Sequence, residues 1–149
     1  MFRQTDPKLA FKADSDCYLF CILRILEKAR GFEYTRSQVA QFRKVAVRAE
    51  FIGDDGYINA RGISGIAVVS SGLTKHHVYA KRVESTESFN YVIAKFRREV
   101  SSGKYTHHFV LMNTQDPTIV DFDPWSVTGA RTTKEGKIID YRYVYAEKV

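Results

Sequence analysis

The chain has little cysteine, little proline and no long apolar run, and each shortage excludes something. Only Cys17 and Cys21 occur. A helix would set them one turn apart with side chains pointing the same way, which is poor geometry for a disulfide. A disulfide framework is therefore excluded, and a reducing compartment fits better than an oxidising one. No window approaches the roughly 18 consecutive apolar residues that cross a bilayer, and the opening Met1-Phe2-Arg3-Gln4-Thr5-Asp6-Pro7 lacks the apolar core of a signal peptide. The expectation is a protein without a membrane span that is cytoplasmic as synthesised. The three prolines, Pro7, Pro117 and Pro124, sit in turn-like settings. No Pro/Gly/Ser linker, repeat or low-complexity stretch marks a boundary, so one domain is expected over 1–149.

Apolar residues make up 44% of the 149 and charged residues 27%, the composition of a chain able to bury a core. The formal charge is +6. An excess of this sign favours anionic polymers such as cell wall or headgroups. The basic residues, among them Arg36, Arg43, Lys44, Arg48, Lys81, Arg82, Lys95, Arg97 and Arg98, form no run and match no nucleic-acid motif, so nucleic acid is not expected as the partner.

Asp14-Ser15-Asp16 offer helix N-caps, and Cys17 to Leu26 is apolar almost all round until Lys28-Ala29-Arg30 and a Gly31 stop. A helix apolar on every face is a central one. Ser37 is expected to cap a second helix with Val39, Phe42, Ala46 and Ala49 inward and Arg43, Lys44 and Arg48 toward solvent. A turn is expected at Gly53-Asp54-Asp55-Gly56, a short helix from Ile63 to Val69 and a strand from Val78 to Val83. Phe89, Val92, Ile93, Phe96 and Val100 at helical spacing, closed by Gly103, predict an amphipathic helix. His107 to Met112, Thr118 to Phe122 and Ile138 to Tyr145 read as strands. Helices first and strands after predict an α+β domain, its central N-terminal helix packed on an antiparallel sheet from the C-terminal half.

Cys17 falls in the first turn of the apolar helix, where unbonded N–H groups and the helix dipole favour negative charge on sulfur. A thiolate there needs a base, and His107 or His108 at the start of a strand is the candidate. Strand alternation allows only one of them to meet Cys17. The imidazole in turn needs an acceptor to fix its tautomer, and Asp121 and Asp123 follow in the next strand. His76-His77 with Cys17, Cys21 and His107 raises a zinc site as a competing idea, but Cys-x-x-Cys spacing is absent and neither metal nor cofactor is expected. Trp125 can line a cleft beside Asp123 or fill the core.

Three pieces together, Asp16-Cys17 before an apolar helix, His108-Phe109-Val110 opening a strand and Asp123-Pro124-Trp125-Ser126 ending the next, resemble the papain-like cysteine peptidases. Within them the resemblance is to the peptidase domains that cut double-glycine leader peptides and to their phage and bacterial relatives. The resemblance implies a papain-like fold with Cys17 as nucleophile, His108 as general base and later acid, and Asp123 as the orienting carboxylate, with Asp121 as runner-up. It implies a thioester-forming hydrolase acting on a peptide or on the stem peptide of peptidoglycan, of the endolysin kind, reaching the wall after lysis. Two departures stand out: Phe11 occupies the position of the family's oxyanion Gln, and Tyr18 that of the Gly after the Cys. Gln4 or Asn113 could stand in for the missing donor. The alternatives are a deamidase or transglutaminase acting on a host protein, and a non-catalytic binding module on the same scaffold.

Overall fold

The computed structural model of the chain describes residues 2–6, 9, 16–53, 76–81 and 91–148. Helix α1 runs Cys17–Arg30 and buries ten of its 14 residues, as an all-apolar segment must. It stops at Gly31, whose positive φ of 85° lets its N–H reach back to the Glu27 carbonyl. The Asp16 side chain does not cap α1. Its carboxylate accepts from Arg43 Nε at 3.0 Å instead, so Arg43 faces the start of α1 rather than solvent.

Helix α2 is Arg36–Arg48, and its cap is Thr35, not Ser37: Thr35 Oγ1 accepts from the Gln38 N–H while Gln38 Oε1 accepts from the Thr35 N–H. Val39, Phe42 and Ala46 are buried as expected, whereas Ala49 is the exposed C-cap. Of the turn expected at 53–56 only Gly53, and of the helix at 63–69 nothing, falls within the described residues.

Among the described residues five strands form one antiparallel sheet: β1 (His76–Lys81), β2 (Tyr91–Ser101), β3 (Lys104–Met112), β4 (Val120–Phe122) and β5 (Lys137–Lys148), in the order β1-β5-β2-β3-β4. A short helix, α3 (Arg131–Glu135), precedes β5. The strand expected at 78–83 begins two residues earlier, and the one expected from Thr118 begins at Val120, because Asn113 and Asp116 tie the preceding residues into a turn. The fold is α+β, with helices in the N-terminal half, α1 and α2 among the described residues, and an antiparallel sheet formed mainly by the C-terminal half.

Of the amphipathic helix expected over Phe89–Val100, the described part from Tyr91 is instead strand β2, held between β3 and β5 in the middle of the sheet. Both of its faces are buried at its start, with Ile93 in the main core beneath α1 and Val92, Ala94 and Phe96 in a second cluster with Val110, Met112 and Tyr143. Adjacent buried residues from two faces imitate a helical stripe. Gly103 does not close a helix. Its φ of 73° serves the two-residue turn between Ser101 and Lys104, which joins β2 to β3. The main core joins α1 and α2 to Ile93, Phe109, Leu111, Phe122 and Val144.

Candidate catalytic site

Strand β4 is three residues long and meets β3 only at Leu111 and Met112. Because it runs antiparallel from the Leu111–Phe122 pair, the residues after Phe122 advance alongside Val110, Phe109 and His108. Asp123 is therefore delivered to the unpaired stretch of β3, and the start of α1 meets both there. His108 Nε2 lies 2.8 Å from Asp123 Oδ1, and the same imidazole is hydrogen-bonded to Cys17. With Nε2 engaged by the carboxylate, Nδ1 is the nitrogen left for sulfur. Cys17, His108 and Asp123 are 6%, 5% and 5% exposed, so their interactions work at low dielectric.

Asp123 is held by more than the imidazole. Its Oδ1 also accepts from the Trp125 N–H at 2.8 Å, and its Oδ2 accepts from Thr133 Oγ1 at 2.8 Å and the Ala130 N–H at 3.3 Å. Burial raises its pKa, but the bonds from His108, Trp125 and Thr133 outweigh that and hold it below the usual carboxylate value. For His108 burial disfavours the charged ring. The hydrogen bonds to Asp123 and Cys17 win, and its pKa is lifted to about 9. Burial pushes the Cys21 thiol up, and the charges of Cys17 and Asp123 push it further the same way.

The other candidates fall elsewhere. Asp121 is exposed and pairs with Lys28, eleven residues beyond Cys17 and so about 16 Å along the helix. Alternation grouped Asp121 with Asp123, but the chain leaves the strand after Phe122, so the pattern ends between them. His107 is exposed, and its pKa is lowered by partial burial and by Lys95 and Arg97. Asn113 Oδ1 is engaged by the backbone of Gln115 and Asp116. His76 and His77 lie in β1, but their side chains lie outside the described residues, as does Phe11. Among the described residues no three His, Cys, Asp or Glu side chains are grouped to hold a metal ion.

Sequence reasoning missed the supports of this cluster. Arg3 Nε donates to the Asp123 carbonyl at 3.1 Å, the Gln4 N–H to the Pro124 carbonyl at 2.9 Å and Thr5 Oγ1 to the Trp125 carbonyl at 2.6 Å. Residues 3–5 thus form a strap along the loop that carries Asp123. Nothing in the local pattern of Arg3-Gln4-Thr5, or of Thr133 in α3, announces a partner more than a hundred or exactly ten residues away. Tyr18, where the resemblance expects Gly, is buried with its ring edge-on to Phe109, 5.0 Å between centroids, so it fills core space. Trp125 lines a groove of about 510 Å³ that also touches His108. Among the described residues no helix is long and apolar enough to cross a membrane. No protein-family model, curated protein or solved structure matches the chain.

Proposed function

We propose that the chain is a cysteine-dependent hydrolase of papain-like type that cleaves a peptide or amide bond through a thioester. The observation that carries this reading is the buried relay in which one imidazole is bonded to both the Cys17 sulfur and the Asp123 carboxylate. An imidazole held at about 9 is basic enough to keep a proton taken from a neighbouring thiol.

In the first half-reaction Cys17 Sγ passes its proton to His108, and the sulfur pair forms the S–C bond while the carbonyl π pair moves onto oxygen. Collapse re-forms C=O and breaks C–N, and the imidazolium proton leaves with the amine. Water then gives a proton to His108 and attacks the thioester. The new C–O bond forms as the C–S bond breaks, sulfur leaves as thiolate, and the His108 proton returns to it as the acid product departs, restoring the starting thiol and imidazole. Asp123 stays ionised throughout and keeps the ring oriented.

The Cys17 N–H, at the open N-terminal turn of α1, suits one oxyanion donor. Gln4 suits the second. It is the one uncharged carboxamide among the buried polar residues described, on the segment laced to Pro124. The substrate class we favour is a peptide or the stem peptide of peptidoglycan. A deamidase or transglutaminase would run the same first half-reaction with a different acceptor.

The test is thiol labelling read by mass spectrometry, paired with Cys17→Ala. Iodoacetamide at pH 6 should modify Cys17 far faster than Cys21, whose thiol burial holds protonated. Cys17→Ala should remove turnover of a peptide pool or of purified peptidoglycan by at least about a thousandfold. Equal sluggishness of both thiols would favour the non-catalytic module.

A further inference from the structure

The groove beside His108 lies between the far end of the β2–β3 hairpin and the loop leading into α3. It is lined by Arg98, Val100, Thr106, His107, His108, Trp125 and residues 130–132. Its volume, about 510 Å³, is that of a small-ligand site. No carboxylate is among these lining residues, while two guanidiniums are. Arg131 is already engaged, its Nε and NH2 bonded to the two oxygens of Glu135 at 3.1 Å each.

Arg98 is different. It pairs with the same Glu135 only loosely, NH1 to Oε2 at 3.7 Å, beyond hydrogen-bond distance, while both carboxylate oxygens accept from Arg131. Its Nε is buried without an acceptor among the described residues. A guanidinium presents five donors in a planar fork that fits a carboxylate, and leaving such donors unfilled in a half-enclosed site is costly. Val100 and the Trp125 ring supply apolar wall next to this charge.

We propose that the groove is a subsite for a peptide residue bearing a free carboxylate, received by the fork of Arg98 while Trp125 and Val100 cover its aliphatic stem. The assignment rests on the hydrolase reading in making the groove a substrate subsite, because His108 forms part of its wall. A neutral amide in the same position would leave Arg98 with only its loose pairing to Glu135, so the site distinguishes Glu from Gln by charge as well as by hydrogen bonding.

The experiment uses the full chain carrying Cys17→Ala and two fluorescent peptide pools, random except for one central residue fixed as Glu or as Gln. Fluorescence anisotropy at low salt should show the Glu pool binding about tenfold tighter. Arg98→Gln should bring the two pools to within about twofold, and Arg98→Lys should fall between, because it keeps the charge and loses the fork. Equal affinity for the two pools, or a preference that survives Arg98→Gln, overturns the subsite. If Arg98→Gln fails to fold, the His107 ring resonance of the unsubstituted protein reports instead. N-acetylglutamate should shift it saturably and N-acetylglutamine should not, and no response to either overturns the proposal. Glu selectivity beside a Cys17 that iodoacetamide ignores would sink the hydrolase reading alone, whereas a reactive Cys17 with no Glu selectivity would sink the subsite alone.

Discussion

Asp123 receives four donors: His108 Nε2, the N–H groups of Trp125 and Ala130, and Thr133 Oγ1. Only an acceptor with two oxygens fits that set, since the amide of Asn would turn an NH2 group toward at least one donor. Asp123→Asn should therefore keep the size of the side chain and lose its function. Turnover should fall on the order of 10⁴-fold, and labelling of Cys17 at pH 6 should slow, measured beside a thermal melt to show that the fold persists. Much of this cluster was legible at the residue scale. A Cys at a helix start, then His, then Asp, is an order readable from the chain. The choice between Asp121 and Asp123 was not, because alternation applies only while the backbone stays in the strand, and here it ends at Phe122. Arg43 was misread for a related reason. A position on the polar side of one helix can still face the end of another, and the Asp16 carboxylate lies there.

At the scale of elements, the turn between β4 and α3 sets the carboxylate. Gly129 has φ 80°, and a Cβ added there would come 3.2 Å from Asp123 Oδ2. Gly129→Ala should cost about 1 kcal/mol or more in urea unfolding from the left-handed backbone alone. It should also slow Cys17 labelling, by pushing the carboxylate off its donors, and a labelling rate equal to that of the unsubstituted chain would show that the turn does not position the acid. Helices α1 and α2 were readable because apolar spacing and the Gly31 stop are local, although the cap of α2 is the Thr35/Gln38 box and not Ser37. Strand β2 was not. Its helical periodicity comes from packing on both faces at once, and the sheet neighbours that demand this, β3 and β5, lie up to about fifty residues away.

At the scale of the whole molecule, the relay ties stability to pH. The folded pKa of His108, about 9, stands above its ordinary 6.5, so folding favours the protonated ring. That contribution is fully present below about pH 6.5 and is lost as pH rises through 9. Asp123 works in the opposite sense: its pKa is lowered, so its contribution is present above the ordinary carboxylate range and lost as pH falls through the lowered value. Tm should therefore decline from pH 6.5 to 9.5, and His108→Gln should flatten that alkaline limb relative to the unsubstituted chain. Parallel limbs in scanning calorimetry would show that the imidazole is not linked to folding in this way.

The strap from Arg3 to Asp123 joins groups separated by 120 positions in the chain. Closing a loop of that length costs chain entropy, which the packing of the intervening residues has to repay. The loop that carries the acid is thus finished by the first residues of the chain, and its placement is a property of the assembled fold rather than of the local sequence.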